Sequence, residues 1–255
     1  ARISRQAAAA RGAADFALSR LRDDRGRLYK RYRSGKAGLP GLLDDYAFLA
    51  WGLIELCETT GEARYLQEAM RLTDLMLRHF RNAASGGLYL SPDDGETLLV
   101  RPMEIYDGAL PSGNSVAAGN LLRLAHMTGT TRYADEAREI LSAFADKVGA
   151  IPSGHTQFLG ALDFSLGPVS EVVLVGEAGR PDMEEMLDSL RHAYLPRTVT
   201  LLKWNRAEDA ALADLAPFTE SMPPGTVAAA YVCRDFTCAQ PTTEPAEMLR
   251  NLGVE

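Results

Sequence analysis

The chain has 255 residues, a formal net charge of -7 at pH 7 and a pI near 5.2. That balance excludes the clustered Lys/Arg face that phosphate neutralisation needs, so no nucleic-acid partner is expected. No apolar run approaches the roughly 18 residues of a membrane span and no signal peptide opens the chain, so a soluble cytoplasmic protein without a membrane partner is expected.

In chain order, Ala7 to Leu21 reads as a helix, and the Arg20 to Arg33 stretch, where basic residues alternate with Asp, Leu and Tyr, reads as a solvated turn. Phe48, Leu49, Leu53, Leu56 and Cys57 follow a helical period between Leu43 and Cys57, with Asp44 or Asp45 able to cap the start and Gly61 ending it. Tyr65, Ala69, Leu72, Leu75 and Met76 mark a second helix to about Phe80. This pair then recurs. Gly61-Glu62-Ala63-Arg64-Tyr65 reads onto Gly129-Thr130-Thr131-Arg132-Tyr133 at an offset of 68, which also places Asp44 and Tyr46 opposite Ser112 and Asn114. A repeat of this length is a helical hairpin with its return loop, so the first half reads as a ring or array of helix pairs. The match of Arg27-Leu28-Tyr29 to Gly87-Leu88-Tyr89 makes Ala7 to Leu21 an outer helix, with its inner partner expected upstream.

The connection from Asn82 to Pro111 is long enough to suggest a functional loop. Within it Leu88 to Leu90 and Thr97 to Val100 have strand character around Pro92-Asp93-Asp94-Gly95, which predicts a β-hairpin. Thr156 to Leu166 reads as a shorter third inner helix.

After Pro168 the pattern changes. Ser170 to Gly176, Thr198 to Leu202 and Thr226 to Cys233 read as strands, with helices over Pro181 to Tyr194 and Ala207 to Phe218. This order predicts a small β-α-β-α-β unit over 168–255 behind a helical unit over 1–167. Gly176 and Gly179 lack dinucleotide-fingerprint spacing, so no cofactor is expected. Three cysteines are too few for a disulfide framework and agree with a reducing compartment. Cys233 and Cys238 offer neither redox-motif spacing nor a zinc set, so no metal is expected. They could approach as a dithiol if the strand turns between them, but structural thiols are the expectation.

The segments Leu43-Asp44-Asp45-Tyr46-Ala47-Phe48-Leu49, Thr97-Leu98-Leu99-Val100-Arg101-Pro102, Tyr106-Asp107-Gly108-Ala109, Pro111-Ser112-Gly113-Asn114-Ser115-Val116 and Ala230-Tyr231-Val232-Cys233 together resemble one family. It is the thioredoxin-domain-containing family related to spermatogenesis-associated protein 20. The resemblance implies a mainly α fold, a partial (α/α) toroid of helical hairpins similar to N-acylglucosamine 2-epimerases and six-hairpin glycosidases, followed by the small α/β unit. It also implies that the chain is the C-terminal part, without the thioredoxin-like domain and first hairpins. A homodimer, or association with that missing N-terminal half, is then expected to cover the exposed flank of the helices. Sugar epimerases of this fold use a histidine pair, whereas here only His155 opens an inner helix.

A sugar ligand is the expected partner, and inner-helix N-termini supply N–H donors and positive partial charge for it. Asp44, Glu104 and Asp107 are the expected catalytic carboxylates, since a carboxyl at a helix start can act as acid, base or hydroxyl acceptor. Asp45, Tyr46, Tyr106, Ser112, Asn114, His155 and Gln157 are the expected substrate-binding residues. Against this stands helix capping, a routine use of Asp and Ser at these positions. A non-enzymatic or redox-regulatory scaffold serving the absent thioredoxin-like domain is the competing reading.

Overall fold

The computed structural model describes residues 2–206 and 209–254, with side chains described from residue 5 onward. Helix α1 (Arg2–Arg20) leads into a hairpin of β1 (Tyr29–Arg33) and β2 (Lys36–Pro40), where a solvated turn was expected. Helices α2 (Leu43–Thr60), α3 (Ala63–Phe80), α4 (Gly113–Thr128), α5 (Thr131–Ala150) and α6 (Thr156–Leu166) follow. Helix α2 packs on α3 and α4 on α5 as hairpins, while α2, α4 and α6 lie side by side as an inner row.

The repeat seen in the sequence holds bond by bond. Gly61 and Gly129 end α2 and α4 at φ 69° and 74°, in the left-handed region, where each amide closes the helix onto Cys57 O and Ala125 O. A side chain there would be strained, which is why glycine recurs. Thr60 Oγ1 donates to Leu56 O and accepts the Glu62 N–H, and Thr128 Oγ1 does the same with Leu124 O and Thr130 N–H. Arg64 lies over the Tyr65 ring and Arg132 over the Tyr133 ring.

The outer helices are joined by equivalent ion pairs. Arg64 reaches back to Asp15 of α1 at 2.7 Å, and Arg132 reaches back to Asp74 of α3. Arg22, just past α1, meets Glu68 at 2.6 Å, as Arg81, just past α3, meets Glu136 at 3.1 Å. These bonds place α1 as the counterpart of α3. Exposed pairs of this kind contribute about 0–1 kcal/mol each, so they set register more than stability.

The predicted β-hairpin in the long connection does not form. Leu90 donates its N–H to Pro102 O at 2.8 Å and accepts from Leu43 N–H at 3.0 Å, tying this segment to the loop's return and to the start of α2. Leu98, Leu99 and Val100 are exposed, Leu99 fully so, and a strand-like sequence with no face to bury gains too little to pair.

Beyond α6 come β3 (Ser170–Val175), α7 (Pro181–His192), β4 (Thr198–Lys203), α8 (Asp209–Leu215), β5 (Ala229–Arg234), β6 (Thr237–Cys238) and α9 (Pro245–Asn251). The expected start of the α8 helix at Ala207 lies outside the described residues. The sheet order is β4-β3-β5-β6, with β3 parallel to β4 and antiparallel to β5, so the parallel component expected from the element order is present. Alternate residues face opposite sides of a strand. Val173, Val175, Val199, Leu201 and Cys233 join the helical core, while Val172, Leu174, Leu202 and Val232 pack with Met183 and Met186 of α7 and Met248 of α9. Among the described residues no helix is long and apolar enough to cross a membrane.

Cys233 and Cys238 are joined as a disulfide, correcting the expectation of two free thiols. The chain reverses through Asp235 and Phe236, both at positive φ, and the register of β5 against β6 then sets the two cysteines opposite each other. Cys57 is free and buried, and that burial pushes its thiol up to about 12. Thiol titration of the native, oxidised protein should therefore find no reactive group at pH 8, one after denaturation and all three after reduction. Three thiols without reductant would contradict the bond.

Candidate functional site

The expected residues gather where α2, α4 and α6 begin, but they divide into a buried layer and an exposed one. Tyr46 is fully buried, and its hydroxyl oxygen accepts from Leu28 N–H at 2.8 Å and Arg27 Nε at 3.0 Å, anchoring the entry to the β1 hairpin. Asn114 is also fully buried. Its Oδ1 accepts from Leu88 N–H at 2.8 Å, and its Nδ2 donates to Leu88 O at 2.9 Å and Glu104 O at 2.8 Å. Neither side chain has surface to offer a ligand. Ser112 is the buried cap of α4, accepting from Ser115 N–H at 3.1 Å.

Asp107 is a tie between helices. One carboxylate oxygen accepts from Ser112 N–H at 2.9 Å; the other accepts from Gln157 and Phe158 N–H at 2.8 and 3.0 Å, capping α6 from outside it. A carboxylate matched to three amides at helix starts is a positioning group.

Asp44, Asp45, Glu104, Tyr106 and Gln157 remain accessible or half-buried. Asp44 lies against the Gly113 backbone, so close that a Cβ on Gly113 would lie 2.5 Å from the Asp44 oxygen. Burial raises the Asp44 carboxyl above the ordinary aspartate range. The Gly113 N–H opposes that shift, Asp45 and Glu104 reinforce it, and Lys30 opposes it. Asp45 accepts from Leu42 N–H at 2.7 Å, closing the first turn of α2. The exposed Glu104 turns its Oε1 to Tyr106 N–H at 3.1 Å. His155 is buried beside Tyr106, its Nδ1 2.8 Å from Ile151 O and its Nε2 without a partner among the described residues.

Lower on the same face, α2, α4 and α6 enclose a groove of about 250 Å³, lined by Trp51, Glu55, Asn120, Arg123 and Gln157. Asp44, Trp51 and Glu55 fall seven and four residues apart, on one face of α2. Arg123 spans from α4 to α2, bonding Glu55 at 2.6 Å and Glu58 at 2.7 Å. Glu58 also accepts from Thr200 N–H, and burial raises its carboxyl despite Arg123. Sequence reasoning missed this set, although a signal existed: Glu55 and Arg123 are 68 residues apart, equivalent positions of the two repeats with opposite charge.

Among the described residues one cluster, His79, Asp93 and Asp94, has the composition of a metal site. Arg27 already stands 2.5 Å from Asp94 and supplies the positive charge there, while His79 Nδ1 meets Asp93 at 2.9 Å.

Over 214 residues the chain is 31% identical to spermatogenesis-associated protein 20 of Homo sapiens, which covers 83% of this chain and 27% of that protein. The rat protein of the same name is 30% identical over the same shares. This chain is related to spermatogenesis-associated protein 20. The resemblance carried by the motif segments therefore holds, and an uncharacterized Caenorhabditis elegans protein is similar too, 27% identical over 91% of this chain and 32% of its own length. No family model matches. The chain spans about a quarter of the length of spermatogenesis-associated protein 20.

Two substitutions separate the layers. Asn114→Ala removes three hydrogen bonds, two of them to the buried Leu88 backbone, and should lower unfolding free energy by about 3 kcal/mol in urea titration with an unchanged m-value. Asp44→Asn should act the other way. A carboxyl whose folded pKa is raised stabilises the fold only while protonated, a contribution lost as pH rises through the folded value. Asp44→Asn should therefore melt above the parent at pH 7, with the difference vanishing below about pH 3.5.

Proposed function

We propose that this chain forms the sugar-binding face of an (α/α) toroid, with further helix pairs supplied by a longer protein. The observation that carries the reading is the continuous face from Asp44 through Trp51 to the Glu55, Arg123 and Gln157 groove. An indole beside several hydrogen-bonding side chains suits a sugar, whose rings offer an apolar face and a rim of hydroxyls.

In this reading Asp44, whose carboxyl burial raises above the ordinary aspartate range, is the proton donor, and Glu104 is the second carboxylate beside it. Asp107 positions the α6 start, and Gln157, Tyr106 and Asp45 bind hydroxyls. The unpartnered His155 Nε2 supports a polar occupant at this end, because a buried acceptor without a hydrogen bond costs about 1–3 kcal/mol. The reaction, a cytoplasmic location, and cover of the helix flank by a second copy or by the longer chain belong to the same proposal.

The Cys233–Cys238 bond favours a second reading, a redox-regulatory scaffold, since Cys238 is exposed to thiol exchange. Thermal-shift measurements with mono- and disaccharides decide for or against the first. A sugar at about 100 times its Kd should raise Tm by about 5 °C, and Trp51→Ala should abolish the rise. No shift with any sugar, or a shift that Trp51→Ala leaves intact, would defeat the sugar reading.

A further inference from the structure

Beyond the groove along α4, His126 is held in one orientation by three contacts. Its Nδ1 lies 2.6 Å from Oε1 of Glu171, a residue of the central strand β3 that is 1% exposed. The other Glu171 oxygen accepts from Phe236 N–H at 3.3 Å. Phe236 stacks on the imidazole, with centroids 6.1 Å apart and planes 16° from parallel, and Phe164 meets it edge-on at 5.9 Å. The disulfide closes the hairpin that carries Phe236, so this wall is covalently fixed.

An ionised carboxylate can only accept, so Nδ1 carries the hydrogen, and in the neutral imidazole Nε2 then presents a lone pair. Nε2 makes no hydrogen bond among the described residues. His126 lines a cavity of about 530 Å³ between α4, α5 and α6, within the size range of small-molecule sites. Leu122, Leu141, Leu162 and Phe164 make its walls apolar. Its charged groups are Arg138, already bonded to Asp135 at 2.7 Å, and Asp235, which pairs with no cation among the described residues. The acceptors this cavity offers are therefore His126 Nε2 and the Asp235 carboxylate, with Arg138 turned to Asp135.

We infer that this cavity is a binding site for a small apolar amine. The ammonium donates to His126 Nε2 and to the Asp235 carboxylate, and the hydrocarbon body lies against Leu122, Leu141 and Leu162. Glu171 and Phe236 position the imidazole. An anionic molecule of the same shape is excluded by Asp235 and has no donor for Nε2. This site is independent of the sugar face, and its test does not rest on that reading.

The test titrates benzylamine, benzyl alcohol and phenylacetate into the oxidised protein, following the His126 ring resonances by NMR and the heat by calorimetry. Benzylamine should saturate and shift the His126 resonances, benzyl alcohol should bind more weakly, and phenylacetate should not bind. Asp235→Asn keeps a residue that tolerates the positive φ of this turn, so it should leave Tm unchanged while weakening benzylamine by about tenfold. His126→Gln should weaken it likewise. Phenylacetate binding as well as benzylamine, absence of benzylamine saturation, or an affinity unchanged by Asp235→Asn would each overturn the inference.

Discussion

The burial of α4 constrains everything around it. Thirteen of its sixteen residues are buried, so the helix must be covered by α2 on one side, α6 on the other, α5 behind and β4 at its far end. Its small residues permit that approach: Gly113 lets Asp44 and Leu43 touch the backbone, and Ala117, Ala118 and Gly119 keep the neighbouring helices close. A larger residue at Gly113 would push the start of α2 away from that of α4.

Because α4 is surrounded, its polar residues serve as anchors. Asn114 holds the returning loop, Ser112 and Asp107 fasten the starts of α4 and α6, and His126 fastens the helix to the sheet through Glu171. The interactions differ greatly in weight. The exposed ion pairs along α1, α3 and α5 are worth about 0–1 kcal/mol each, whereas removing one partner of a buried charged set such as Arg123 with Glu58 costs about 3–5 kcal/mol. Arg123 and its carboxylates therefore hold the inner row, α2 to α4 and on to β4, while the outer pairs only keep it in register.

The same burial leaves two faces of the inner row for chemistry. One carries the raised carboxyl of Asp44 above the Trp51 groove; the other carries the fixed imidazole of His126 above an apolar cavity. They share α4 as a wall. Each has a polar group whose ordinary solvation has been partly replaced by protein contacts.

The sequence by itself determined the helix pairs, since a glycine that must adopt positive φ, followed by Arg-Tyr and an apolar stripe, recurs because the same local geometry recurs. It also located the ends of α2, α4 and α6 as the place where polar residues collect. What only the tertiary structure decided is which of those residues face solvent. Tyr46 and Asn114 stand at repeat-equivalent positions and read as a site from spacing alone, but Leu28 N–H and Arg27 occupy the Tyr46 hydroxyl, and the Leu88 and Glu104 backbone occupies the Asn114 amide. The Leu88 to Val100 segment has strand propensity, yet pairing depends on a buried face that no local pattern guarantees. Cys233 and Cys238 meet only because the chain reverses at Asp235 and Phe236, two non-glycine residues that give no turn signal. Arg123 finds Glu58 across a helix interface, and Glu171 finds His126 across 45 residues. Periodicity is local and survives in the sequence, whereas burial and long-range pairing belong to the packed chain.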